Sequence, residues 1–266
     1  MEQEEDRSWT NHSFPWSRGG VHWVAIILIG ALVGYVGGMF GKGGSAIATP
    51  LLAAAGVPAI VAIASPLPAT VPGTLVAYRR YRHLGLSDPS VIRTSLVVGI
   101  PATLLGAWAS HWIAGGTLLV VTDVVVALIG LRILVRGATP EDGVDDPEHR
   151  ALRIVAVAAA VGLLAGLLAN AGGFLLVPLY LAALKLPVKT ALACSLAVAS
   201  VLALPGTIVH AALGQIDWRV AIVFGAASIP LSGLGAATAV RISSARLERI
   251  YGAGLLVLGA TFLLIR

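Results

Sequence analysis

The sequence predicts an all-α polytopic membrane protein made of two homologous halves, and three observations carry that expectation. The 266 residues are 57% hydrophobic and only 12% charged, against roughly 45–50% and about 25% in soluble domains. The apolar residues form long runs, several reaching the roughly 20 residues a helix needs to cross the hydrocarbon core. A set of Gly, Pro and Asp positions also recurs at one constant spacing. A β-barrel would show short alternating strands instead, and the sequence has none of these. Helices satisfy their backbone groups within the segment, as lipid requires.

Residues 1–20 read as a polar tail. They open with Glu2, Glu4, Glu5 and Asp6, where a signal peptide would carry a basic stretch. Apolar segments then follow at 22–40, 44–56, 59–78, 91–113 and 117–135. Together they make a first repeat over 21–136. The stretch 137–150 is the one clearly hydrophilic linker. A second repeat, 151–266, holds segments at 152–169, 173–184, 188–213, 219–240 and 247–265. Segments 44–56 and 173–184 are too short to span, and each follows a glycine pair.

An offset of 129 residues superposes the halves. It pairs Gly43-Gly44 with Gly172-Gly173, Pro58 with Pro187, Gly85 with Gly214, and Asp88 with Asp217. It also pairs Ile100-Pro101 with Ile229-Pro230, Gly106 with Gly235, and Gly130 with Gly259. If each Gly-Gly break reverses the chain, every half has five segments and the repeats are inverted. Lys42, Arg79, Arg80, Arg82, Arg93, Arg132, Arg136, Arg150, Arg153, Lys185, Lys189, Arg241, Arg246 and Arg249 then share one face. The positive-inside rule favours this arrangement, with that face cytoplasmic and both termini outside. Re-entrant rather than spanning short segments would change the parity. The net charge of +5 is explained by these loop cations, which leaves no case for a nucleic-acid partner.

The run Gly37-Gly38-Met39-Phe40-Gly41-Lys42-Gly43-Gly44-Ser45 is answered by Asn170-Ala171-Gly172-Gly173. Glycine pairs interrupt a helix and admit another backbone. Interrupted short segments at matching places in two halves point to a transporter binding site. A half-helix starting there aims its N-terminal N–H groups at a bound anion. The structural alternative is tight helix packing without substrate. Ser45, Ser65, Asn170 and Ser195 are the side-chain donors expected beside Gly43, Gly44, Gly172 and Gly173. Serines in membrane helices also bond their own backbone, so Ser65 and Ser195 fit either role.

Lys42 is placed to supply charge, or to sit in a cytoplasmic loop. Asp123 is the one acidic residue inside an apolar segment, which makes it a candidate proton-coupling site; its position near a helix end also suits interfacial water. Gly30, Gly34 and Gly38, like Gly162 and Gly166, have the spacing of close helix packing. Asp88 and Asp217 precede helices and read as N-caps. A phosphate-binding loop is ruled out, since Val36 and Gly43 stand where it needs Gly and Ser or Thr. Neither His-Glu-x-x-His nor Gly-x-Ser-x-Gly occurs, so the reading is not an enzyme. No cofactor and no metal site is expected; Cys194 is the only cysteine.

Gly37 to Ser45 followed by Pro50-Leu51-Leu52, Ala171 to Leu179, Cys194-Ser195-Leu196 and Gly214 to Arg219 together resemble the sulfite exporter TauE/SafE family. The resemblance covers about residues 22–266. It implies a permease of a prokaryotic cytoplasmic (inner) membrane for sulfite, sulfonates or related small sulfur-containing or organic anions. The first half departs from the pattern at Lys42 and Ser65-Pro66. The expected mechanism is alternating access, with protons or the membrane potential as the driving force. A passive anion channel is the alternative.

Overall fold

The computed structural model describes residues 23–41, 45–109, 131, 147–167 and 173–265. Ten helices appear among them, and no strand. They are α1 (Trp23–Phe40), α2 (Ser45–Ala54), α3 (Ala59–Ala64), α4 (Leu67–Arg82), α5 (Pro89–Ala109), α6 (Pro147–Leu167), α7 (Gly173–Ala183), α8 (Val188–Ala212), α9 (Trp218–Arg241) and α10 (Ser244–Ile265). Five stretches are long and apolar enough to cross a membrane: 23–40, 60–82, 89–106, 188–212 and 218–241. At 1.5 Å per residue, the ten-residue α2 and eleven-residue α7 are only about 15 Å long, too short to span.

Several boundaries differ from the sequence reading, each for a physical reason. The segment 59–78 is a broken helix, with a turn at Ser65-Pro66 between α3 and α4. Pro66 and Pro68 have no N–H to donate, which makes this the cheap place to interrupt the ladder. Past residue 78, α4 continues through the basic run to Arg82, so three arginines occupy its last turn and complement the helix dipole. Inside the hydrophilic stretch, α6 starts at Pro147, a residue suited to a first helical position. Asp88 and Asp217 do cap helices: Asp88 accepts from the N–H groups of Ser90 and Val91, and Asp217 from those of Arg219 and Val220.

The first helix of each half packs against a helix of the other half. Along α1, Gly30, Gly34 and Gly38 meet Phe224, Ser228 and Ser232 of α9 in that order, so α1 and α9 are parallel. A Cβ at Gly30 would sit 2.7 Å from the Phe224 carbonyl oxygen, and at Gly34 or Gly38 it would collide with the backbone of α9. The structural reading of this glycine stripe therefore holds. By the same means Gly99 and Gly106 of α5 follow Ala158 and Leu163 of α6, again in parallel. Gly225 and Gly233 of α9 face Ala69 and Val76 of α4, adding α4 to the direction of α1. Helix α8 runs the opposite way: Gly206 faces Leu67 at the start of α4, whereas Leu192 reaches Gly41 just past the end of α1.

These directions collect the described basic residues at one end of the bundle. Arg150 pairs with Asp88 at 2.6 Å, joining the starts of α6 and α5. Lys189 Nζ donates to the Val240 carbonyl at 2.7 Å, joining the start of α8 to the end of α9. Only Arg219, at the start of α9, stands at the other end of this helix set. Large side chains such as Leu28, Val97, Ile208 and Ile222 are exposed, forming the apolar exterior that a lipid environment accepts.

Candidate functional site

Four of the helices leave a pocket between them. Val33, Gly34, Gly37 and Gly38 of α1 form one wall, and Ala69, Thr70, Gly73 and Thr74 of α4 another; Phe224, Ser228 and Ser232 of α9 and Leu196 of α8 close it. Ser228 is ten residues into the 24-residue α9, about 15 Å from its start and about 20 Å from its end, so the pocket lies near mid-depth. The same glycines that let α1 approach α9 remove side chains from its wall. The break at Ser65-Pro66 ends a turn before Ala69, so the start of α4, with its partial positive charge, adjoins the pocket.

The hydroxyls around the pocket are buried, and most are already bonded. Thr70 Oγ1 donates to the Pro66 carbonyl at 3.1 Å. Thr74 Oγ1 donates to the Thr70 carbonyl at 2.8 Å, with Val71 at 3.2 Å. Ser232 Oγ lies 2.7 Å from the Gly73 carbonyl and 2.8 Å from that of Ile229. The first of these ties α9 to α4. Ser228 is 6% exposed, lines the pocket, and has no hydrogen-bond partner among the described residues. No ionisable side chain is in the lining.

The residues expected from sequence fall elsewhere. Ser65 is fully buried, and its Oγ accepts the Asp217 N–H at 3.0 Å. Ser195, equally buried, donates to the Gly41 carbonyl at 2.9 Å. Asp217 begins α9, whereas Gly41 lies beyond the contact of Gly38 with Ser232. The two serines are thus about 25 Å apart along the bundle axis and do not meet in one cradle. Gly41, at φ +68°, ends α1 in the left-handed conformation that glycine adopts at no steric cost. Ser45 and Gly173 begin α2 and α7, as half-helices after the glycine pairs should. Lys42, Gly43, Gly44, Asp123, Asn170 and Gly172 lie outside the described residues.

The 129-residue register reappears in the contacts. Ser65 corresponds to Cys194 and Asp217 to Asp88. Cys194 Sγ lies 3.7 Å from the Asp88 carbonyl oxygen, so each half holds the other's helix start at the matching place. Sequence reasoning missed Thr74, Ser228 and Ser232. A signal was present: Gly34 and Gly38, Thr70 and Thr74, and Ser228 and Ser232 each share the four-residue spacing that puts small residues on one helix face.

A sequence model of the family described as "Sulfite exporter TauE/SafE" matches residues 26–262. The chain is 30% identical over 233 residues to a "Probable membrane transporter protein" of Xylella fastidiosa (strain 9a5c), covering 84% of this chain and 88% of that one. A protein of the same description from Xylella fastidiosa (strain Temecula1 / ATCC 700964) is 29% identical over 236 residues, with 84% and 88% covered. A probable membrane transporter protein of Bacillus subtilis (strain 168) is 23% identical over 231 residues, with 75% and 82% covered. No solved structure gives a significant match.

Proposed function

Because the chain belongs to the sulfite exporter TauE/SafE family and is a membrane transporter, we propose that it moves a small anion through the pocket between α1, α4 and α9. The anion is sulfite, an organosulfonate or a related sulfur-containing or organic anion, and the route crosses a prokaryotic cytoplasmic membrane. The observation that carries this reading is Ser228: a hydroxyl with no partner among the described residues, on a residue that is itself buried, opening onto a mid-depth pocket in a helix bundle. Such a hydroxyl keeps a donor and two acceptor sites for whatever enters the pocket. The adjoining start of α4 adds a favourable dipole for negative charge.

The mechanism is alternating access by two inverted repeats. Support comes from α8 running against α4, its counterpart one 129-residue repeat earlier. The first glycine break follows Gly38 by a few residues, so Lys42, Gly43, Gly44 and Ser45 serve the same path as the pocket. Asn170, Gly172 and Gly173 serve the matching path in the second half. A proton gradient or the membrane potential drives the cycle.

Flux into proteoliposomes tests this. Sulfite, a sulfonate and acetate are offered with and without a pH gradient. At least one is expected to enter saturably and against its own gradient, with Ser228→Val lowering the rate at least about tenfold, the effect of losing roughly 1.4 kcal/mol of binding. Linear, unsaturable, purely downhill flux would indicate a channel. No flux above protein-free vesicles for any of the three removes the substrate assignment.

A further inference from the structure

We propose that the pocket takes its oxyanion in a singly charged form that still carries a proton, so that the proton crosses the membrane on the substrate itself. This rests on the reading of the α1, α4 and α9 pocket as the substrate site, and it narrows the substrate to the acid anions of weak polybasic oxyacids.

The hydroxyls of the lining differ in how many hydrogens they have left to give. A hydroxyl has one hydrogen and two lone pairs, whereas a carbonyl can only accept. Every hydroxyl bonded to a backbone carbonyl has therefore committed its hydrogen and can only accept from a ligand. Thr70 is bonded in this way to Pro66, and Thr74 to Thr70 and Val71. Ser232 is committed most firmly, because two carbonyls, Gly73 and Ile229, compete for its single hydrogen. Turning it toward a ligand would break a tie between α4 and α9. Ser228 alone keeps a hydrogen to give. The side chains of the lining thus offer one donor, on α9, among several acceptor-only oxygens on α4 and α9, beside the unpaired backbone N–H groups at the start of α4.

A fully deprotonated dianion fits such a wall poorly. All its oxygens accept, so those facing Thr74 and Ser232 would stand lone pair against lone pair. No cation in the lining offsets the cost of taking two charges out of water, which is steep even for one. The monoprotonated anion fits: one bare oxygen accepts from Ser228, and its own O–H donates to the Ser232 or Thr74 hydroxyl oxygen. A single remaining charge is what the start of α4 can balance.

Among the described residues, no titratable side chain on the surrounding helices supplies a proton at the pocket instead. Helix α1 carries only Tyr35, whose hydroxyl donates to Thr238 at 3.1 Å. Those of α4 are confined to its end, from Tyr78 to Arg82. On α8, Lys189 is bonded to Val240 and Cys194 to Asp88, while His210 is near the far end against Gln215. On α9 they are Arg219 and Arg241, at its two ends.

The test places a reporter in the pocket. In a Cys194→Ser background, Ala69→Cys, on the pocket wall and leaving Ser228 intact, is labelled with a small thiol reagent in the presence of increasing sulfite, the loss of reagent to sulfite itself being measured on a free thiol and divided out. The series is repeated at several pH values across the ionisation that takes sulfite from mono- to dianion, each rate being taken relative to that without sulfite. The total sulfite giving half protection should rise about tenfold for each pH unit above that ionisation, as the monoanion fraction falls. Protection that is constant or strengthens as pH rises shows that the dianion binds; it overturns this inference and leaves the pocket standing. Absence of protection at every pH removes the pocket assignment, and the inference with it. Half-saturating sulfite for flux by the unmodified protein, measured over the same pH range, gives the same discrimination if the cysteine reacts too slowly.

Discussion

At the scale of single residues, polar side chains here are mostly structural, and their bonds tell which ones are not. Asp88 is the clearest structural case. Burial pushes its carboxyl pKa up, but the hydrogen bonds from Ser90, Arg150 and Val91 outweigh that and hold it below the ordinary carboxylate value. A carboxyl lowered in the folded state contributes stability above its unfolded pKa and loses it as pH falls through the folded one. Asp88→Asn should therefore lower the thermal midpoint in detergent at neutral pH. The gap from the unmodified protein should close as pH drops below the carboxylate range, and a gap that persists in acid would assign the effect to packing. From sequence Ser65 and Ser195 fit either role, since a serine's letter does not say whether its hydroxyl meets backbone or substrate. Their partners, Asp217 and Gly41, are distant in sequence and become neighbours only through the fold.

At the scale of elements, the helices and the duplication were readable because lipid imposes a simple composition on a spanning segment. The broken helix at Ser65-Pro66 and the reach of α4 to Arg82 were not, because hydropathy falls off before a helix does. The pairing of α1 with α9 was hidden for another reason: small residues announce close packing without naming the partner. That packing makes a contrast between two glycines. A Cβ at Gly34 would strike the backbone of α9, whereas one at Gly254 on α10 would meet nothing within 4 Å beyond its own helix among the described residues. Gly34→Ala should cost roughly 1–3 kcal/mol through overpacking and narrow the pocket as well. Gly254→Ala should be neutral or stabilising by up to about 1 kcal/mol, the helix-propensity gain. Unfolding curves in mixed micelles measure both, and equal effects would deny that α1 packs on α9 as described.

At the scale of the whole molecule, the helix directions and the loop charges make the same demand, and they arise from different physics. Directions follow from steric contacts between helices, whereas the collection of Arg and Lys at one end follows from the orientation rule for insertion. Positions one repeat apart should then lie on opposite sides of the membrane. Leu84, after α4, and Leu213, after α8, are 129 residues apart and both are well exposed, at 57% and 62%. Placed singly as cysteines in a Cys194→Ser background, they should react with an impermeant thiol reagent from opposite faces of oriented vesicles, with position 84 on the cytoplasmic side beside Arg79, Arg80 and Arg82. Labelling of both from one face would mean parallel repeats. The two halves could then not exchange places as gates related by a two-fold axis in the membrane plane around Ser228, and alternation would need a different moving part. Labelling from opposite faces, with 213 outside, makes the contact of Ser65 with Asp217 and that of Cys194 with Asp88 the outer and inner members of one pair. Each would join the halves at the end where a path to the pocket must open.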